Sequence, residues 1–162
     1  MLTSLPILTF ALAILLAGAG LVLAFFPRVP AVLLSFGAML FARASGMLAF
    51  TSGQLWFWGV AAAIAAGLAY LAQPRLPRTC VYYIVGGALA GALVGLVIGY
   101  TAAVILASAT GAFFAGMAFA RTPAGRAAGP SATRLDVLAP VGLPAVVNFS
   151  IIMMLFAQLL HS

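Results

Sequence analysis

Apolar residues fill this chain in long runs, and short polar stretches separate the runs. The longest run extends from Thr79 to Ala120, 42 residues without a formal charge. A single helix of that length would measure about 63 Å, roughly twice the thickness of a bilayer core. The run therefore predicts a helical hairpin, and the stretch from Gly99 to Thr101 predicts its turn.

The remaining runs predict further helices, each bounded by polar or helix-breaking sequence such as "FFPRVP", "TSGQ" and "QPRLPR". A span needs about 20 predominantly apolar residues. We expect a single transmembrane domain over residues 1–162. Its predicted spans are residues 5–26, 30–50, 55–72, 80–99, 102–120 and 137–160.

The second of these spans is short, because only 14 apolar residues, Val29 to Ala42, precede Arg43. Two interpretations are open. The segment runs on to about Phe50 with Arg43 snorkelling near its end, or it dips into the membrane and returns. The sequence thus predicts five or six spans.

Composition explains why lipid is the expected solvent of this chain. Hydrophobic residues make up 66% of it and charged residues only 5%, whereas soluble domains carry roughly 25% charged residues. In lipid, helices and closed barrels alone satisfy their own backbone. The runs are continuously apolar rather than alternating, which excludes barrel strands. The predicted fold class is all-α, an integral membrane helical bundle.

The net charge of +6 comes from seven arginines and one acid, Asp136. No basic patch with interleaved aromatic residues is present, so we expect the lipid bilayer rather than nucleic acid as the partner. Six crossings place Arg43 on one side of the membrane and the other arginines on the other, which favours six spans. We therefore expect a bacterial cytoplasmic (inner) membrane protein with most arginine loops cytoplasmic. Those other arginines are Arg28, Arg75, Arg78, Arg121, Arg126 and Arg134.

Glycines recur at every fourth position of the predicted fourth span, at Gly87, Gly91, Gly95 and Gly99. This spacing keeps them on one helix face. Because lipid is as apolar as leucine, helices in it associate through close backbone approach and dispersion. The next span carries small-residue stripes of its own, which include Gly111 and Gly116. The pattern predicts a glycine-zipper helical hairpin. Packing within one chain and packing between chains in a homo-oligomer are both open.

Chemistry-bearing residues are few and scattered along the chain. Asp136 lies at the N-terminal end of the last span, where an acid complements the helix dipole; a proton or cation site is the alternative. The chain has one cysteine, Cys80, and one histidine, His161. Such scattering predicts no metal site, no cofactor and no catalytic residues, so we expect no enzyme.

The last span carries the most suggestive polar site. Pro140 and Pro144 are expected to kink or unwind it, and Asn148 follows with an amide that needs a partner in lipid. Broken helices with a polar residue at depth line the sites of transporters. Asn148 thus predicts either a bond to a neighbouring helix or a transport site. Arg43 is a second candidate, for snorkelling or for gating.

The layout resembles a bacterial membrane family, domain of unknown function 456. The resemblance is carried by "FFPRVPAVLLSFGAMLFA" after the first helix, by the later hairpin "VGGALAGALVGLVIGYTAAVILASATGAFFAGMAFA" and by the closing apolar helix. It covers most of the chain. Here Arg28 and Val29 stand between the prolines, where that family tends to be richer in glycine. The resemblance implies the fold and carries over no functional residues.

Taken together, these features predict a non-enzymatic packing or assembly protein that uses its glycine-rich helix faces. Its expected partners are the bilayer, other copies of itself or other membrane proteins. The alternative is a small transporter or channel with a broken last helix near Asn148.

Overall fold

A computed structural model describes residues 4–26, 31–71, 77–127 and 135–161. Within those ranges the chain forms seven helices and no strand, which confirms the predicted all-α class. Their bounds are α1 Ser4–Leu23, α2 Ala31–Ala44, α3 Ser52–Leu71, α4 Arg78–Ile98, α5 Thr101–Arg121, α6 Pro123–Ala127 and α7 Leu135–His161.

Five of these helices are long and apolar enough to cross a bilayer, so the chain is a multi-pass membrane protein. Their apolar cores are Leu5–Leu23, Ser52–Tyr70, Arg78–Ile98, Thr101–Arg121 and Ala139–Leu160. Each agrees with a predicted span to within a few residues. The large apolar side chains exposed along them, such as Leu15, Val97 and Leu106, are those expected of a surface that faces lipid.

The span predicted over residues 30–50 is wrong in length. Helix α2 ends at Ala44, and its 14 residues rise only about 21 Å, less than a bilayer core. Gly46 stops the helix, because its φ of 73° is a left-handed conformation that glycine adopts without strain. Among the described residues there are thus five full-length helices, the 14-residue α2 and the five-residue α6.

The segment "TSGQ", residues 51–54, was expected to precede the third span. In the structure it starts the helix. The Thr51 hydroxyl accepts a hydrogen bond from the Gln54 N–H at 3.2 Å, and the Gln54 side chain accepts one from the Thr51 N–H at 3.0 Å. This reciprocal pair is a capping box, which satisfies two otherwise unpaired donors. Helix α3 therefore begins at Ser52.

Helix α7 is the centre of the bundle. One face packs against α4 and α5, through residues such as Phe149 and Ile152. Another packs against α1, α2 and α3, through residues such as Ile151 and Leu155. The helix is uninterrupted across Pro140 and Pro144, which excludes the predicted unwinding, whereas the predicted kink stays a prediction.

The two ends of the bundle carry different arginines. At one end Tyr83 of α4 packs on Phe119 of α5, with ring centroids 5.5 Å apart. This end carries Arg78, Arg121 and Arg126, and we call it the Arg78 end. At the other end the Gln158 amide donates to the Ala49 carbonyl at 3.3 Å. Here Arg43 donates to the Ser52 hydroxyl at 3.3 Å, and this is the Arg43 end.

The described arginines therefore divide as the charge pattern predicts, with Arg43 opposite the other three. The remaining arginines, Arg28, Arg75 and Arg134, lie outside the described residues.

Candidate functional site

The glycine stripe of α4 lies against the backbone of α5. A Cβ added at Gly91 would lie 2.9 Å from the Ser108 Cα and would overlap the Ala107 carbonyl. One added at Gly95 would lie 2.7 Å from the Ala103 carbonyl oxygen. One added at Gly87 would overlap Gly111. No side chain fits at these positions unless the helices separate, which explains why glycine occupies them.

Small residues of α5 complete this contact. A Cβ at Gly111 would lie 3.3 Å from the Gly91 Cα, and Gly116 is buried in the same helix. Between the glycines, the buried Ser108 hydroxyl donates a hydrogen bond to the Ala88 carbonyl at 2.9 Å. The structure thus places the predicted glycine faces of α4 and α5 together, within one chain.

Gly99 does not belong to this stripe, which corrects its assignment as a packing residue. It follows the end of α4 with a φ of 86°, and a Cβ there would meet nothing within 4 Å. Its N–H donates to the Gly95 carbonyl at 3.3 Å and to the Leu96 carbonyl at 3.0 Å. Gly99 therefore ends the helix and makes the predicted turn.

Asn148 joins three helices at the centre of the bundle. Its side chain is 1% exposed. The Ser35 hydroxyl of α2 donates to the Asn148 Oδ1 at 2.6 Å, and the Asn148 Nδ2 donates to the Gly20 carbonyl of α1 at 3.1 Å. A Cβ added at Gly20 would overlap the Ser35 hydroxyl. We call these three residues the Asn148 node.

The Asn148 node lies near the middle of the apolar core of α7. That core extends from Ala139 to Leu160, so Asn148 lies about 14 Å from one end and about 18 Å from the other. Ser35 is only four residues from the start of α2. The short helix therefore begins close to mid-depth and extends to the Arg43 end.

Ser150 is a second buried polar residue of α7. It is 1% exposed, and its hydroxyl has no hydrogen-bond partner among the residues that the structure describes. Two residues further along the helix than Asn148, it points to a different face because each residue turns about 100°. An unpaired hydroxyl in an apolar interior is destabilising.

Arg43 and Ser52 lie at one end of an open groove between α2 and α3. The groove has a volume of about 520 Å³. Apart from that end, its lining is apolar and includes Phe36, Trp56 and Ala63. Gly59 forms part of its floor, where an added Cβ would lie 3.0 Å from the Phe36 ring.

The remaining sequence candidates are Asp136, His161 and Cys80. The side chains of Asp136 and His161 lie outside the described residues. Cys80 is 0% exposed in the core between α4, α5 and α7. The described residues contain no group of three or more His, Cys, Asp or Glu that could hold a metal ion.

Comparisons of the chain with protein-family models, with curated proteins and with solved structures each return no match. The resemblance to domain of unknown function 456 therefore stays a prediction.

Sequence reasoning found Asn148 and Arg43 but not the residues they contact. Gly20, Ser35 and Ser52 belong to other helices than their partners, and no periodic pattern connects them to those partners. Ser150 lay two residues from Asn148 and was missed because a lone serine is common in membrane helices. The signal was available: two polar residues in one otherwise apolar stretch, "VVNFSII".

Proposed function

We propose that this chain is a non-enzymatic integral membrane protein that acts by binding other membrane components on its outer surface. The observation that carries the proposal is that α5 fills the glycine stripe of α4 inside the chain. A face whose backbone already lies against another backbone offers no surface to a partner. Assembly must therefore use the lipid-facing residues or the ends of the helices.

The polar interior supports the same proposal. In the Asn148 node, Ser35 and Gly20 occupy both the oxygen and the nitrogen of the Asn148 amide. An amide in this state connects helices, and its remaining lone pair and second N–H belong to a side chain that is only 1% exposed. The polar residue that the sequence offers for transport is thus used to hold α1, α2 and α7 together.

The division of the arginines suggests an orientation. Arginine-rich connections face the cytoplasm in most membrane proteins. We infer that the Arg78 end is cytoplasmic and that the membrane is the inner membrane of a bacterium.

In a Cys80→Ala background, Ser52→Cys and Ala124→Cys place one exposed thiol at each end. A membrane-impermeant maleimide applied to spheroplasts should label the first variant only. Labelling of the second alone would reverse the orientation.

Mass measurement of the full chain tests the main proposal. The protein is extracted with its surrounding lipid by a copolymer and weighed under native conditions. We expect bound components in addition to the chain. A bare chain in every preparation would contradict the proposal.

A small transporter or channel is the second candidate, and the unpaired Ser150 hydroxyl favours it. A buried hydroxyl without a partner among the described residues keeps a donor and an acceptor for a solute or ion. Liposomes that hold the purified chain should show no solute or ion flux if the first proposal is correct. Flux that Asn148→Leu or Ser150→Ala abolishes, with the fold retained, would establish the second candidate instead. Ser150→Ala is the sharper variant, because it removes no hydrogen bond of the described structure.

A further inference from the structure

The groove between α2 and α3 has one polar end and an otherwise apolar length. Arg43 and Ser52 form the polar end. From Ser52 to Ala63 the groove follows α3 for about 16 Å. Ser52 is also the first residue of an apolar span, which places the polar end where lipid headgroups lie and the remainder in the hydrocarbon region.

The described side chains include no carboxylate, so none of them neutralises Arg43. The chain contains one acidic residue, Asp136, in the first turn of α7. Gln158, near the end of α7, contacts Ala49 at the Arg43 end. Residues 136 and 158 of one helix are about 33 Å apart. The Arg43 guanidinium therefore lies at the opposite end of the bundle from the first turn of α7.

The donors of Arg43 are also only partly used. A guanidinium has five N–H donors, and within the described residues Arg43 makes one hydrogen bond, to the Ser52 hydroxyl at 3.3 Å. The Ser52 hydroxyl accepts that bond and keeps its own proton free to donate. Planar donors of this kind match the oxygens of a phosphate group.

We infer that this groove binds an anionic phospholipid, with the phosphate at Arg43 and one acyl chain along α3 as far as Ala63. The inference rests on the proposed function and names one component that the outer surface binds. Charge complementarity selects the headgroup, because the Arg43 guanidinium is a cation at the polar end of the groove. Gly59 and Ala63 leave the space that the acyl chain fills.

Tryptophan fluorescence gives a direct readout of this site. Trp56 lines the groove and is 76% exposed, whereas Trp58, the other tryptophan, is 3% exposed. In a Trp58→Phe background the full chain reports on the groove alone. The protein is placed in vesicles that contain either brominated phosphatidylglycerol or brominated phosphatidylcholine at the same mole fraction, because bromine quenches a nearby indole.

We expect stronger quenching by the anionic lipid than by the zwitterionic lipid, with about a fivefold preference. This is the factor in affinity that one arginine contributes near a membrane surface. Arg43→Gln should remove this preference. Arg78→Gln, which removes one charge at the other end, should retain it. Ala63→Leu fills the groove and should reduce quenching by both lipids, whereas Ala109→Leu, at an exposed position of α5, should not. Circular dichroism verifies the fold of each variant.

Several results would overturn the inference. Equal quenching of the parent by the two lipids would show no headgroup selection. Relief of quenching by inorganic phosphate would identify a site for free anions. Quenching that falls as the protein-to-lipid ratio rises would show that a second copy of the chain occupies the groove. If native mass measurement still shows bound components while quenching shows no preference for the anionic lipid, the lipid site is refuted and the proposed function stands.

Discussion

Two helix pairs of this bundle each place glycine at their interface and reach opposite results. In the α4–α5 pair, Gly91 faces the small residues Ala107 and Ser108, and the backbones come into contact. In the α2–α3 pair, Gly59 faces the ring of Phe36, and a groove remains beside it. A stripe of glycines thus fixes only one half of an interface. The size of the opposing side chains decides whether it becomes a contact or a groove.

The largest expected effect is on the α4–α5 contact. Gly91→Leu places a side chain into the α5 backbone, which cannot yield as a side chain does. We expect destabilisation of about 3 kcal/mol or more, at the upper end of overpacking effects. Gly86→Leu is the matched control on the same helix, because nothing lies within 4 Å of its added Cβ. Unfolding free energies of both variants in mixed detergent check the prediction, and equal values would refute it.

The next effect concerns the Asn148 node, which joins α1, α2 and α7 by hydrogen bonds. Asn148→Leu removes two hydrogen bonds and leaves the Gly20 carbonyl and the Ser35 hydroxyl without the amide. Hydrogen bonds between membrane helices contribute about 0.6 kcal/mol each, with a maximum near 1.7. We expect a loss of about 1–2 kcal/mol in the free energy of unfolding.

A double-mutant cycle sharpens this prediction. Ser35→Ala removes one of the two bonds, and its effect should be smaller in the Asn148→Leu background than in the parent. Additive effects would show that the two side chains do not interact.

A smaller effect is expected at the start of α3. Thr51→Ala removes the hydroxyl that caps this helix, which should destabilise the protein by about 1 kcal/mol. Thr51→Ser keeps an oxygen in reach of the Gln54 N–H and should restore most of the loss. Thermal unfolding of the three proteins tests the cap. Equal stability of Thr51→Ala and the parent would mean that the capping box is not needed.

The smallest effect is expected at Gly59. The added methyl of Gly59→Ala would lie 3.0 Å from the end of the Phe36 ring, and this flexible side chain can move by a few tenths of an ångström. We expect a change within about 0.5 kcal/mol, the range usual for surface substitutions. Gly91→Ala should be far more harmful than Gly59→Ala in the same unfolding measurement. Similar losses would contradict the distinction between a contact and a groove.

Much of this fold follows from the sequence because lipid simplifies the pattern. Length alone identified the α4–α5 hairpin, and the turn at Gly99 was placed correctly. The prediction that Gly99 packs against a neighbouring helix was wrong. A glycine in register with a stripe has the same sequence pattern whether it packs or ends a helix. The end of α2 was missed although Gly46, two residues after Ala44, gave a stop signal.

Other features depend on tertiary context. Pro140 and Pro144 are strong helix breakers in isolation, yet α7 is continuous across them while it packs against α4 and α5. The partners of Asn148 come from α1 and α2, more than 100 positions away. Spacing within a helix carries no information on such contacts. The groove beside Arg43 likewise exists only once α2 and α3 lie together.

The main structural conclusion to test is that α5 of the same chain fills the glycine stripe of α4. Cysteines at Ala88 and Ser108, in a Cys80→Ala background, test it directly, since both positions are 0% exposed and joined by a hydrogen bond. Under mild oxidation in membranes, both thiols should disappear while the protein keeps the electrophoretic mobility of a monomer. Disulfide-linked dimers as the main product would show that the stripe joins two chains, and would contradict the account.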